Sequence, residues 1–346
     1  MPAPFVLFLK LYPWHGPMLE RVFPLLPPTV LHTCVEADAI KAGWRPQHKP
    51  ALVVVADAGA IRGLRPVFPD SLFMHVGHGL ISKNETGYHY READYICVAS
   101  DAVAARLTQR GHIPRREFLP IGLIQMDPLF RPMEEIQTLR VAGTSRSIIY
   151  APTWNPSLSS ADMFGAGLVK WLRGEDEQIG ILIKPHPHTP MANPEWVSAW
   201  AQMAEEHPNV QLANPASDLP SALIGADLMV SDASSAIFQF LALDRPIVLV
   251  DNPARHGTPR CFDPDGIEWQ WRDIGARVQD VRVVAEAVRE GLNRPFTQSQ
   301  RAQQAARQER RRALFGTMTD GRAAERVASA IESIVSKVPA VRGPAS

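Results

Sequence analysis

The feature that most constrains this chain is an alternation. Short apolar runs with β-branched residues occur at residues 5–11, 51–56, 72–76, 95–99, 148–150, 180–183, 210–212, 228–230 and 247–250. Between them lie stretches with helical spacing, among them 102–110, 195–206, 235–243 and 281–291. An apolar run without polar alternation suits a strand covered on both faces, as in a parallel sheet under helices. Strand–helix alternation sustained along the chain predicts an α/β protein with doubly wound parallel sheets. At 346 residues the chain exceeds one ordinary domain, so two are expected, with a cleft between them as the default ligand site.

The best boundary lies within 128–146, where Pro128 and Pro132 precede a polar interval that ends in Gly143-Thr-Ser-Arg146. The expected organisation is a Rossmann-like domain over 1–140 and a second over 141–298. Helices over 299–337 would pack back toward the first domain. Ala324, Val327, Ile331, Ile334 and Val335 recur there at near-helical spacing. A disordered tail is expected over 338–346.

Composition excludes several classes. Lys and Arg total 36 against 36 Asp and Glu, and 45% of residues are hydrophobic. That balance does not fit a basic nucleic-acid coat, an acidic tail or a disordered linker. Cys34, Cys97 and Cys261 form no CxxC pair and have no histidine at metal-ligand spacing, which fits a reducing compartment and neither a disulfide scaffold nor a zinc site. The apolar start at 5–9 is broken by Lys10 and Pro13, and no segment reaches the roughly 18 apolar residues of a membrane span. The expected location is cytoplasmic, at most peripheral on the inner face of the membrane.

In parallel α/β sheets, ligands bind outside the carboxyl ends of the strands, so the residues leaving each strand carry the functional signal. Four exits are chemically rich. The first is His75-Val-Gly-His78-Gly79, followed by Lys83. His75 reads as a satisfied core histidine. His78, between two glycines that let a ligand approach the backbone, reads as a proton-transfer group. The second is Tyr150-Ala-Pro-Thr-Trp154-Asn155, which alone reads as a turn with a packing tryptophan. The third is Lys184-Pro-His186-Pro-His188, where prolines fix the direction of His186 and Lys184 is suited to neutralising phosphate; His188 reads as part of a rigid turn. The fourth is Asp232-Ala-Ser234-Ser235, whose serines would cap a helix start able to hold an anion.

The sequence holds no Walker loop, GxGxxG, GxSxG or HExxH. Asp263-Pro-Asp265 has the spacing of a metal-binding DxD but lies in a proline-rich loop after no clear strand and reads as a turn. No metal and no cofactor is expected. Arg301, Arg307, Arg310, Arg311 and Arg312, with Glu309 among them, read as a solvated helix face.

Taken in order, these motifs resemble the CDP-glycerol glycerophosphotransferase family, the teichoic-acid-type polymerases and primases. His78-Gly-Leu-Ile-Ser-Lys83 is similar to His-Gly-Thr-Pro-Leu-Lys, Ala151-Pro-Thr-Trp154 to Ala-Pro-Thr-Trp, and Lys184-Pro-His186-Pro187 to Arg-Pro-His-Pro. Asp232-Ala-Ser234-Ser235, with Phe238 and Arg245-Pro246, resembles Asp-Tyr-Ser-Ser followed by Phe and Lys-Pro. Asp320-Gly321 and Glu325-Arg326 resemble the family's closing Asp-Gly and Glu-Arg.

The resemblance implies a GT-B fold, two Rossmann-like domains whose parallel sheets face across a cleft, with the first domain taking the acceptor and the second the nucleotide donor. It implies an enzyme that moves glycerophosphate, or a related alditol phosphate, from a CDP-linked donor to an acceptor hydroxyl in cell-envelope polymer synthesis, releasing CMP. The acceptor would be an envelope glycan or a lipid-linked molecule, and no nucleic acid is expected as partner. His78 would be the general base and His186 the second catalytic residue. Gly79, Lys83, Thr153, Lys184, Asp232, Ser234 and Ser235 would hold the donor and its phosphates. The chain departs from the family pattern at Asn155 and Gln125, where the family has arginines, and at Gln239, where it has an aspartate. Alternatives are a GT-B glycosyltransferase that uses a nucleotide-sugar for capsule or lipopolysaccharide, a nucleotide-sugar 2-epimerase, and a non-catalytic nucleotide-binding or scaffold relative.

Overall fold

The computed structural model of the protein describes residues 3–77, 79, 90–131, 138–258 and 262–338. They hold twelve strands in two six-stranded sheets, with every neighbouring pair parallel. The chain forms two compact units. One comprises the described residues up to Arg131 together with those from Leu314 onward, and the other those in between.

The first unit contains β1 (Phe5–Lys10), β2 (Leu31–Glu36), β3 (Leu52–Val55), β4 (Leu72–His75), β5 (Tyr95–Val98) and β6 (Glu117–Pro120), in the order β2-β1-β3-β4-β5-β6. The central strands are apolar because helices cover both faces. Val6, Leu7, Phe8, Val53 and Val54 are fully buried, each contributing on the order of 2 kcal/mol of transfer free energy. The second unit contains β7 (Arg146–Tyr150), β8 (Ile179–Ile183), β9 (Val210–Leu212), β10 (Leu228–Ser231), β11 (Ile247–Val250) and β12 (Ala276–Val278), in the order β12-β11-β10-β7-β8-β9.

Three of these strands, β2, β6 and β12, are not predicted from the apolar runs, and all three are sheet edges. An edge strand has a partner on one side only and a more exposed face, so its sequence need not be apolar throughout. Leu31, His32 and Glu36 of β2 and Glu117 of β6 are exposed.

Helix Ala323–Ser336 belongs to the first unit. Ala324, Val327, Ala328, Ile331, Ile334 and Val335 form its buried stripe and join the core containing Val6, Phe8, Val54 and Met74. Its start is held from a distant part of the chain. The Asp127 carboxylate accepts from the backbone N–H of Ala323 at 2.8 Å and of Ala324 at 2.9 Å, satisfying two of the free donors at the helix end. Gly122 turns the chain beside that helix with φ of +88°, and an added Cβ would lie 3.0 Å from the Cβ of Ala323. Two constraints thus favour glycine there.

Helix Gln298–Phe315 groups with the second unit up to Ala313. The expectation of a solvated arginine face fails at Arg307, which is 2% exposed, with Nε on Asp244 at 3.3 Å and Nη1 on the Ile274 carbonyl at 3.2 Å. The long apolar stem of arginine lets a polar-looking helix bury one charged residue when a partner waits for it. Among the described residues no helix is long and apolar enough to cross a membrane. The tail expected to be disordered lies, from 339 on, outside the described residues.

Candidate functional site

In the second unit β8 and β10 lie on opposite sides of β7. The connections leaving β7 and β10 therefore diverge, opening a crevice at their carboxyl ends, the switch point where such sheets bind ligands. Three of the sequence-predicted exits meet along this edge: 151–155 after β7, 184–188 after β8 and 232–235 after β10.

The exits of β7 and β10 are tied together by Asp232. This residue is fully buried. Its Oδ1 accepts from Thr153 N at 2.9 Å and Ala233 N at 2.6 Å, and its Oδ2 from Ser160 N at 2.8 Å and Ser160 Oγ at 2.9 Å. Because the Ser160 hydroxyl donates to Asp232, the Tyr150 hydroxyl, 2.9 Å away, must be the donor in their shared bond. Ser231 Oγ adds a bond to the Ala151 carbonyl at 2.6 Å. Burial, the nearby Asp232 carboxylate and Asp162 raise the Tyr150 pKa well above its ordinary value, while the Ser160 bond offsets a smaller part. The phenol stays neutral and structural.

A second carboxylate stands at the exit of β11. Asp251 is 1% exposed and accepts from Arg272 Nε at 2.9 Å, from Arg272 Nη2 and from Arg277 Nε. Burial alone would raise its pKa, but Arg272 and then Arg277 outweigh burial and hold it below the usual carboxylate range. Arg272 also donates to the carbonyls of Asp232 and Val250, so one guanidinium joins the exits of β10 and β11. Neither Asp251 nor Arg272 is singled out by the sequence reading. The strand-exit rule applied once more would have found Asp251; nothing marks Arg272.

After β8 the chain turns sharply. Lys184 is 4% exposed, and its ammonium bonds the Pro215 carbonyl at 2.7 Å and the Pro185 carbonyl at 3.4 Å. Burial pushes its pKa down to about 8. His186 is partly exposed. Its Nδ1 accepts from the His188 backbone N–H at 3.1 Å, so its neutral ring carries the proton on Nε2. The His188 ring stacks on it, with centroids 5.2 Å apart and planes at 27°. Trp154 lies 6.5 Å from His186 and 5.9 Å from His188. At 37% exposure Trp154 is a surface ring and not the packing tryptophan expected. His188 is likewise more than a turn residue, since it fixes the His186 tautomer with its backbone and meets both rings with its side chain.

The serine turn divides. Ser234 is buried, and its Oγ accepts from Ala236 N at 3.3 Å, while Ser235, which is partly exposed, makes no side-chain bond to the helix it precedes. That helix, Ala236–Phe240, continues as a 3-10 turn over Leu241–Leu243.

The accessible rim is therefore Trp154, Asn155, His186, His188 and Ser235. Thr153, Lys184 and Asp232, expected on the ligand, are buried beneath it, and Lys184 and Asp232 direct their charges at the protein. They hold the exits in place. In the first unit His75 is buried in the core, with Nε2 3.2 Å from the Ala56 carbonyl. Gly77, at φ of +71°, turns the chain as it leaves β4. Gly79 is partly exposed, and His78 and Lys83 lie outside the described residues. Asp263 caps its own turn through Asp265 N at 3.0 Å, and no group of three His, Cys, Asp or Glu among the described residues could hold a metal ion.

Comparison with known proteins bears on the family and the fold. No curated protein matches the sequence. Among solved structures the chain resembles the wall teichoic acid polymerase TagF, with a TM-score of 0.67 and 14% identity over 97% of this chain and 90% of that one. It also resembles the UDP-GlcNAc 2-epimerase of Methanocaldococcus jannaschii, with a TM-score of 0.58 and 13% identity over 95% and 99% of the two chains. MnaA of S. aureus gives a TM-score of 0.56 at 13% identity over 98% and 100%. These likenesses give the fold as GT-B. The model of the CDP-Glycerol:Poly(glycerophosphate) glycerophosphotransferase family matches residues 74–333. With most of its length matched, from the β4 strand through the closing helix, this chain belongs to that glycerophosphotransferase family and is an enzyme of its type.

Proposed function

We propose that the protein transfers glycerophosphate, or a closely related alditol phosphate, from a CDP-linked donor to an acceptor hydroxyl during cell-envelope polymer synthesis. The acceptor oxygen forms a new bond to the phosphorus that carries the alditol. The bond from that phosphorus to the CMP oxygen breaks, and CMP leaves. The hydroxyl proton passes to a base, which we assign to His78 from its sequence position between Gly77 and Gly79.

The observation that carries the reading is the fixed tautomer of His186 at the switch point of the second unit. With Nδ1 held by the His188 N–H, the ring proton sits on Nε2, and we assign that N–H as the donor to a phosphate oxygen. Transfer at phosphorus depends mostly on positioning and on stabilising the charge that develops. Ser235 supplies a second donor on the same rim. Ser234 shapes the turn, and Thr153, Lys184 and Asp232 act through the backbone they hold. A TagF variant has been soaked with CDPG, which makes a CDP-linked donor the first to test. The reading carries a cytoplasmic setting with at most weak contact to the membrane surface, in keeping with a net charge of zero.

The test is a donor screen with purified protein, CDP-glycerol against nucleotide-sugars, reading CMP against nucleoside diphosphate release. CMP release from CDP-glycerol is expected, and His186→Ala should lower kcat by about 10²–10⁴ with an unchanged melting temperature. Nucleoside diphosphate release from a nucleotide-sugar would move the protein to the glycosyltransferase reading. Full activity in His186→Ala would remove its assigned role.

A further inference from the structure

The first unit has a switch point of its own. β2 and β3 flank β1 on opposite sides, so the crevice at their carboxyl ends opens between the connections leaving β1 and β3. After β1 the chain reads Tyr12-Pro-Trp14-His15-Gly16. The rings of Tyr12 and Trp14 lie parallel, with centroids 4.4 Å apart and planes at 5°. The imidazole of His15 stands edge-on to both, at 5.4 and 6.1 Å, and is buried beneath them. Tyr12 and Trp14 remain partly exposed. Pro13 between them fixes φ and so the spacing of the two rings.

Charged side chains stand at the ends of β1 and β2 and on the short helix that follows the pair. Lys10, the last residue of β1, bonds Glu36, the last residue of β2, at 3.0 Å. That bond raises the Lys10 pKa above the ordinary lysine value, so the ammonium is retained and neutralised in place. Glu20 stands close by: a Cβ on Gly16 would lie 3.4 Å from both Glu20 Oε1 and Lys10 Cδ. Among the described residues this set of one cation and two carboxylates does not suit a phosphate or diphosphate. Carboxylates and an ammonium around an aromatic surface do suit a neutral ring with an apolar face and hydroxyl groups on its edge.

We propose that this β1/β3 crevice binds a neutral sugar ring of the acceptor, stacked on the Tyr12–Trp14 pair and hydrogen-bonded by Glu36, Lys10 and Glu20. The assignment of that sugar to the acceptor rests on the transfer reaction proposed above. The site lies before residue 74, outside the segment that the family model matches. Its chemistry therefore belongs to this chain's own choice of acceptor and not to the donor motifs shared across the family.

The experiment uses the full chain and two kinds of ligand. Binding of N,N′-diacetylchitobiose, cellobiose and methyl mannoside is followed by saturation-transfer NMR, with glycerol 3-phosphate as the anionic control, and CDP-glycerol binding is followed by calorimetry. At least one saccharide should bind the wild type, Trp14→Ala should weaken it about tenfold, and Trp14→Phe should restore most of the loss. Thermal melts check that both variants fold. Equal saccharide affinity in wild type and Trp14→Ala, binding of none of the three saccharides, or glycerol 3-phosphate as the ligand displaced by the Trp14 change would each overturn the proposal. Failure of the wild type to bind CDP-glycerol would instead count against the donor reading and leave the sugar site standing.

Discussion

The two sheets share a winding logic and differ in what they place at its reversal. In the second unit the exits of β7, β10 and β11 are joined by buried carboxylates. Asp232 receives four hydrogen bonds from the described residues, and Asp251 is bracketed by Arg272 and Arg277. In the first unit the corresponding exit after β1 is furnished with stacked rings, with the Lys10–Glu36 ion pair at the strand ends. The difference concerns preorganisation. A group that stabilises charge at phosphorus must be aimed before the reaction begins, which demands a rigid, fully hydrogen-bonded frame. A surface that takes a neutral ring needs shape and an apolar face, and rings supply these with few dihedral angles to fix.

If the polar frame of the second unit is what makes it rigid, cutting its central tie should produce the largest effect. Asp232→Ala leaves the N–H groups of Thr153, Ser160 and Ala233 and the Ser160 hydroxyl without their acceptor in the interior. Each such group costs about 1–3 kcal/mol, with losses that do not simply add. A total of about 4 kcal/mol is expected, read as a fall in the urea midpoint at constant m-value. A loss under 1 kcal/mol would show that the exits hold without Asp232 and would end the contrast drawn between the two units.

The next largest effect depends on pH. Burial holds the folded-state pKa of Lys184 at about 8, against 10.5 for an ordinary lysine. Between those values the unfolded chain keeps a proton that the folded chain has released. Folding stability should therefore rise with pH across that window, and the cost of burying the charge is fully present below it. The depression corresponds to about 3 kcal/mol. Subtracting the stability of Lys184→Met from that of the wild type at each pH removes the titration of all other groups. The difference should climb by this amount from pH 7 to pH 10.5, and a flat difference would mean that the ammonium is solvated.

How much of this was legible in the sequence follows the same physical lines. The central strands announce themselves because burial on both faces forbids polar residues. The edge strands β2, β6 and β12 do not, because one side faces solvent. The exits that form the site could be located because chemistry at the ends of buried strands stands out against them. What local sequence does not show is direction. A buried lysine after a strand looks the same whether it points at a phosphate or at the Pro215 carbonyl, and Asp232 looks the same as ligand or as clamp. Arg307 illustrates the limit: its partner Asp244 is remote in sequence, and no helical pattern could signal that one arginine in a polar helix would be buried.

The smallest stability effect is expected where the frame ends and the rim begins. Ser234 and Ser235 are adjacent and chemically identical, yet only the first gives its hydroxyl to the helix start, accepting from Ala236 N. Ser234→Ala should cost about 1 kcal/mol, as the loss of a helix cap does. Ser235→Ala should fall within about 0.5 kcal/mol of wild type, as exposed changes usually do. The order should invert for the donor. A hydroxyl bonded to a phosphate oxygen is worth roughly 1.5–3 kcal/mol, so Ser235→Ala should weaken CDP-glycerol binding by at least about tenfold in calorimetry. Ser234→Ala should act on affinity only as far as it loosens the turn. Equal affinity losses in the two variants would mean that the rim has no separate role, and that the turn as a whole holds the donor through its backbone N–H groups.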